Sequence, residues 1–235
     1  MEIDQIESKL RFCKLLRKKD IENYLKDETL FVGPLLEPDK YIGPIGIDLR
    51  LDTYFLEIRH TGKGLVDPFE RSDPYESTQL IEIDFFGGGY TLQPGKFVVG
   101  QTFEYISLPP KIFGILDGRS SLGRLGIVIH STAMSVDPGW AGHLALELHN
   151  NGEMPVKLSP LVRVARLILF ETPGTDPKVE SDYSSLDDPE RKYYRQVKPT
   201  PSRIYDDPDL KDLKKINKRF EQENLQLRKK YFGEN

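Results

Sequence analysis

From Leu30 to Phe170 the apolar residues come in short runs, and Gly or Pro closes most of them. The runs are 30-LFVGPLL-36, 47-IDLRLDTYFLEI-58, 79-QLIEIDFF-86, 97-FVVGQTFEYISL-108, 127-IVIHST-132, 143-HLALELHN-150 and 161-LVRVARLILF-170, rich in β-branched and aromatic residues. Segments of that length and composition read as strands. Turns are marked by 86-FGGGYTLQPG-95, 108-LPP-110, 137-DPGWAG-142 and 172-TPGTDP-177. No strand–helix–strand alternation appears that would build a parallel sheet. The fold expected is therefore mainly β, a barrel or jelly-roll sandwich.

The flanks read differently. Near the start, Asp20 is placed to cap a short helix over Ile21–Lys26, with Ile21, Tyr24 and Leu25 on one face. After Phe170 the composition turns to Asp, Ser, Lys, Tyr and Pro, which reads as an irregular arm that acts by docking. From Pro208 onward Leu210, Leu213, Ile216, Phe220, Leu227 and Tyr231 recur at helical spacing among Lys and Glu. The expected organisation is a β domain with its N-terminal helical segment over 1–170, an arm over 171–207 and an amphipathic helix over 208–235.

Composition narrows the function. The 235 residues carry 33 Lys+Arg against 37 Asp+Glu, a net charge of -4, so the whole surface does not attract nucleic acid. No stretch approaches the roughly 18 apolar residues of a membrane helix, and no membrane partner is expected. Cys13 is the single cysteine, and Met1–Asp20 is charged rather than basic then apolar, which points to a cytoplasmic protein. With no Cys-x-x-Cys, and with His60, His130, His143 and His149 in no ligand spacing, neither zinc nor another protein-built metal site is expected.

Three segments could carry chemistry. In 143-HLALELHN-150 the period of two places Leu144, Leu146 and Leu148 on one face and Ala145, Glu147 and His149 on the other. Glu147 then faces either solvent or a cavity, with Ala145 leaving room beside it. The segment 118-GRSSLGRLG-126 gathers guanidinium groups, hydroxyls and glycines, and is either a polar turn or an anion site. In 137-DPGWAG-142, Asp137 either closes its own turn or accepts from a sugar hydroxyl, and Trp140 reads as structural. His130, in an apolar run, reads as a satisfied core histidine.

Taken together, 118-GRSSLGRLGIVIHSTAMSVDPGWAGHLALELHN-150 resembles the central block of the dCTP deaminase family, within the trimeric dUTPase superfamily. The flanking 44-PIGIDLRL-51 and 192-KYYRQVKPTPSR-203 resemble that family too, so the likeness spans about residues 15–205. It implies a distorted β-barrel or jelly-roll of the dUTPase-like kind. It also implies zinc-independent hydrolytic deamination of dCTP, with Glu147 as the general acid/base. Ser120 and Arg124 would lie near the attacking water, and Ala133, with the backbone at Ser131 and Thr132, would floor the site. Arg119 and Ser121 would lie on the phosphate loop, with Ser121 on a phosphate, Asp137 would accept the 3′-hydroxyl, and Leu122, Gly123, Ala145 and Leu146 would be further substrate-binding residues. Tyr183, Lys192 and Gln196 would close over the triphosphate. The resemblance further implies Mg2+ carried by that triphosphate, a homotrimer, and dUTP or the inhibitor dTTP as further ligands.

Met134-Ser135 stands where such enzymes differ by product and matches neither pattern. Release of dUTP is placed ahead of a bifunctional, dUMP-forming activity that also yields pyrophosphate. A dUTPase alone and a non-catalytic nucleotide-binding regulator rank lower.

Overall fold

In the computed structural model, residues 13–59, 62, 64–67, 70, 72–173, 193–206, 215, 218–223 and 226 are described. The chain is mainly β, as its punctuated runs imply. Thirteen strands are assigned among these residues: β1 (Lys14–Leu15), β2 (Phe31–Gly33), β3 (Ile47–Arg50), β4 (Tyr54–Ile58), β5 (Thr78–Glu82), β6 (Tyr90–Leu92), β7 (Phe97–Ser107), β8 (Ile112–Gly118), β9 (Ile127–Val128), β10 (Ser135–Val136), β11 (Ala141–Asn150), β12 (Val156–Leu158) and β13 (Arg163–Glu171). Every pairing is antiparallel. One sheet runs β1-β13-β8-β10 with β3 also on β13, a second runs β5-β4-β7-β11-β9 with β2 also on β7, and β12 pairs with β6.

The two large sheets do not close into a barrel. They share one apolar core, in which Leu49, Leu116, Leu167 and Leu169 of the first pack in a single cluster with Phe55, Val98, Leu146 and Leu148 of the second. Period-2 burial, with Leu144, Leu146 and Leu148 at 7%, 0% and 0% exposure, turns the intervening residues of β11 away from that core.

Four short helices cap the edges: α1 (Lys18–Lys26), α2 (Pro38–Tyr41), α3 (Asp73–Glu76) and α4 (Ser120–Gly123). In α1 the cap differs from expectation. The helix starts at Lys18 with Arg17 as N-cap, and Asp20 sits in the third helical position, where its carboxylate accepts from the Arg17 N–H. The ion pair of Asp20 with Lys14 at 2.9 Å adds to that preference for the inner position. Ile21 is fully buried, with Tyr24 and Leu25 packed against the core as the spacing implies. At the other end, residues 215, 218–223 and 226 are helical and Phe220 is exposed; the remaining apolar positions of that segment lie outside the described residues.

The sheets are tied together by charge as well as by apolar contact. Glu104 lies in a bulge of β7, where three residues, Thr102 to Glu104, stand opposite Leu144 alone. Its carboxylate accepts from Arg50 Nε at 2.6 Å and from the Arg50 backbone N–H at 2.8 Å. Arg50, on β3 of the other sheet, also donates to the Pro34 carbonyl and stacks on Tyr41 and Phe103. Both side chains are essentially inaccessible to water. Burial pushes the Glu104 carboxyl up, and the bonds from Arg50 oppose that rise. Glu104→Gln leaves the guanidinium buried without a counter-charge, which costs about 3–5 kcal/mol. Urea unfolding of this variant should show a correspondingly lower midpoint, and an unchanged midpoint contradicts the assignment.

Candidate active site

The outer face of β11 forms one wall of a cavity of about 450 Å³, within the range of small-molecule sites. Glu147, Ala145 and His143 project from that face, each half-buried. The opposing walls come from the segment after β9, with His130 and Ala133, from the 137–140 turn, and from the chain beyond residue 192.

Glu147 is held by one oxygen: Oε2 accepts from the Ser131 backbone N–H at 3.1 Å. The backbone at Ser131 thus fixes the carboxylate, while Oε1, without a bond among the described residues, is open to a ligand or water. His130 Nε2 bonds the Ala133 carbonyl at 2.6 Å, so that nitrogen carries the proton, and its Nδ1 is buried without a partner among the described residues. The expectation of a satisfied core histidine is half met: one ring nitrogen is bonded and the other is not, because the ring sits at the cavity wall. On the opposite wall His143 Nδ1 bonds the Thr102 carbonyl at 2.9 Å, and Tyr105 meets the ring edge-on at 5.4 Å.

Trp140 both packs on the core and borders the cavity, which extends the structural reading of that residue. Its ring lies over Gly142, whose φ is +146°; a Cβ there would stand 2.9 Å from the indole, so only glycine accepts this approach. Asp137 is exposed on the cavity rim. Its carbonyl closes the turn by accepting from Trp140 N–H, while its carboxylate has no bond among the described residues and is free to meet a ligand.

The chain from Tyr193 to Ser202 lies along β11 as a strap. Arg195 N–H donates to the Ala141 carbonyl at 2.7 Å and His143 N–H to the Gln196 carbonyl at 3.0 Å. Gln101, fully buried, adds a bond from Nε2 to the Val197 carbonyl. Gln196 is therefore brought to the cavity. Its Oε1 accepts from the Thr200 hydroxyl, and its buried Nε2 has no partner among the described residues. Tyr183 and Lys192 lie outside the described residues.

The structure thus gathers Glu147, Ala133, Ala145, Asp137 and Gln196 around one cavity. It does not bring the 119–124 segment there. Ser120, Ser121, Gly123 and Arg124 are exposed in and after the single-turn α4, and none of them borders the cavity. Leu122 packs on the core instead. Arg119 pairs with Asp48 at 3.1 Å. The segment is closed by Gly126 at φ +82°, where a Cβ would stand 2.4 Å from the Gly152 nitrogen. Leu146 also departs from expectation, since its side chain is 0% exposed and belongs to the core, on the far side of β11 from Ala145. His143, Trp140 and Thr200 were not among the expected site residues. For His143 the signal was present: it is four residues from Glu147 on one strand, and the same period of two puts it on that face.

Residues 15–172, well over half the chain, match the family described as dCTP deaminase-like. The chain belongs to that family. A Dictyoglomus turgidum protein named "dCTP deaminase, dUMP-forming" is 38% identical over 200 residues, covering 85% of this chain and 100% of its own. A Halorubrum lacusprofundi "dCTP deaminase" is 40% identical over 201 residues, 83% of this chain and 94% of its own. Among solved structures, the 2′-deoxycytidine 5′-triphosphate deaminase from Agrobacterium tumefaciens aligns with a TM-score of 0.53 at 21% identity. That alignment covers 68% of this chain, spans about half (48%) of that chain, and shows the fold alone. The fold of that solved neighbour agrees with the mainly β architecture that the punctuated strands describe.

Ala145 and Leu146 give opposite mutational signatures. Ala145→Leu fills the cavity and should abolish nucleotide binding in calorimetry while leaving the urea midpoint nearly unchanged. Leu146→Ala empties the core and should lower stability by about 2–5 kcal/mol. The reverse pattern contradicts the facing of β11.

Proposed function

We propose that this protein converts dCTP to dUMP at a single site, releasing ammonia and pyrophosphate. The observation that supports it is Glu147, fixed through one oxygen by the Ser131 N–H on the wall of a cavity that Ala133 and Ala145 keep open.

In this reading Glu147 Oε1 takes a proton from a water that attacks C4 of cytosine. The C4–N3 double bond yields its electron pair to N3, which receives a proton. The carboxyl passes its proton to N3, then takes the proton of the new C4 hydroxyl and hands it to the amine, so that the C4 carbonyl forms as the C4–N4 bond breaks and ammonia leaves. A positioned group that moves these protons contributes about 10²–10⁴-fold. Small side chains at Ala133 and Ala145 leave the volume that base and water need. A second water, oriented by the Asp137 carboxylate at the rim and giving it a proton, adds to the α-phosphorus, and pyrophosphate departs with the electron pair of the broken Pα–O bond. The strap carrying Gln196 covers the cavity and excludes bulk water. Mg2+ arriving with the triphosphate screens its charge; the chain's own groups for that end are the guanidinium and hydroxyl groups of the 119–124 segment.

That segment lies outside the cavity of its own chain. We therefore assign it to the cavity of a neighbouring copy, in a homotrimer whose symmetry presents Arg119, Ser120, Ser121 and Arg124 to the next subunit's Glu147.

Release of dUTP, the product favoured from the sequence, ranks second to dUMP. Relatives from Dictyoglomus turgidum, Methanothermobacter thermautotrophicus and Nocardia farcinica, 35–40% identical, carry dUMP-forming names. The Halorubrum relative, named without that term, is what favours the dUTP reading. A dUTPase alone gives Glu147 no task, and neither does a regulator that only binds the nucleotide in this cavity.

Incubation with dCTP and magnesium, followed by chromatography, separates these readings. We expect dUMP and pyrophosphate with no accumulating dUTP, and accumulation of dUTP contradicts the proposal. Glu147→Gln should still bind dCTP and lose at least about 10²-fold in kcat; near-normal turnover overturns the role of Glu147.

A further inference from the structure

Asp48 on β3 is 2% exposed, and three arginines converge on it. Arg166 Nε reaches Oδ1 at 2.8 Å, while Arg119 Nη1 and Arg163 Nη1 each reach Oδ2 at 3.1 Å. Neighbouring strands bring them there: β13 pairs with β3 on one side and β8 on the other, placing Arg166 opposite both Asp48 and Asp117. Three positive charges therefore meet one buried carboxylate. Asp117 is exposed and forms no ion pair with Arg166 among the described residues, and Arg124, nearby in sequence, is exposed as well.

Such an excess is not a stability device. A buried carboxylate needs one counter-charge, and each added guanidinium repels the others. The geometry does fix the three side chains. Each gives one N–H to Asp48, keeps several more, and remains 25–36% exposed. Rigid forks with spare donors are what bidentate recognition of phosphate oxygens requires. The molecule is acidic overall, so the patch is local.

We propose that Arg163 and Arg166, together with Arg119 and fixed by Asp48, form an anion site for the terminal phosphates of the nucleoside triphosphate. This rests on the reading above, in which Arg119 and its segment meet the phosphate end. Arg163 and Arg166 lie outside that segment, on β13, and extend it. Asp48 is a positioning residue: it touches no phosphate and aims three groups that do.

The test uses the full chain and inorganic tripolyphosphate in titration calorimetry. Wild type should bind with an affinity that falls as salt rises. Arg163→Gln and Arg166→Gln should each weaken binding about tenfold and flatten the salt dependence. Lys111→Gln, which removes one exposed charge elsewhere, should not. Arg166→Lys should recover part of the loss, and with dCTP the same variants should raise KM more than they lower kcat. The site is overturned if wild type does not bind tripolyphosphate. It is also overturned if both Gln variants bind as wild type, or if their losses track a lowered unfolding midpoint that Arg166→Lys shares. Absence of dCTP turnover with the tripolyphosphate pattern intact removes the proposed reaction and leaves the site standing. Turnover to dUMP with unaltered tripolyphosphate binding in the variants does the reverse.

Discussion

The Arg50–Glu104 pair is the constraint on which the rest of the structure depends. It joins β3 of one sheet to β7 of the other in a place that water does not reach. Glu104 can turn toward Arg50 because β7 carries extra residues there, and the same bulge frees Thr102. The Thr102 carbonyl accepts from the His143 ring and its hydroxyl from the Leu144 N–H, at 2.9 and 3.0 Å. Thus the bulge that makes the ion pair also sets how β11 leaves its first residues. The rest of β11 then alternates with leucines in the core and Ala145 and Glu147 at the cavity.

Strand β3 carries the complementary role. Its Ile47 and Leu49 belong to the core, while Asp48 and Arg50, two residues apart, share the other face. Arg50 fastens the second sheet and Asp48 gathers Arg119, Arg163 and Arg166. A strand of four residues therefore connects the inter-sheet lock to the cationic groups. Burial of charge on both counts explains why 47-IDLR-50 mixes the two kinds of residue so tightly: each polar side chain has its partner on another strand.

Much of this was legible in the sequence where the signal is local. Alternation in 143-HLALELHN-150 gave the facing of Glu147, and turn residues bounded most strands. What was not legible depends on partners distant along the chain. The segment 112-IFGILDG-118 carries two glycines and an aspartate, yet it is a strand because β13 pairs along its length. Ser135–Val136, beside the cavity, forms a strand on the strength of two paired residues. Asp20 resembles an N-cap, but the Arg17 N–H and Lys14 draw it to the third position. For Leu146 the alternation was right, and only the resemblance put it with the substrate. Spacing could not tell whether the 119–124 segment reaches the cavity formed by its own chain, since that is a question of how strands from remote segments are arranged.

In the proposed trimer each site joins Glu147 of one copy to the 119–124 segment of another. Mixing two inactive variants tests it most directly: Glu147→Gln and Arg124→Gln chains are purified apart, unfolded and refolded together, and assayed for dCTP turnover. Random assembly of a composite site predicts activity at about a quarter of the sites, from interfaces that pair an intact Glu147 with an intact Arg124. Refolded mixtures that assemble normally and stay as inactive as either parent would contradict the account.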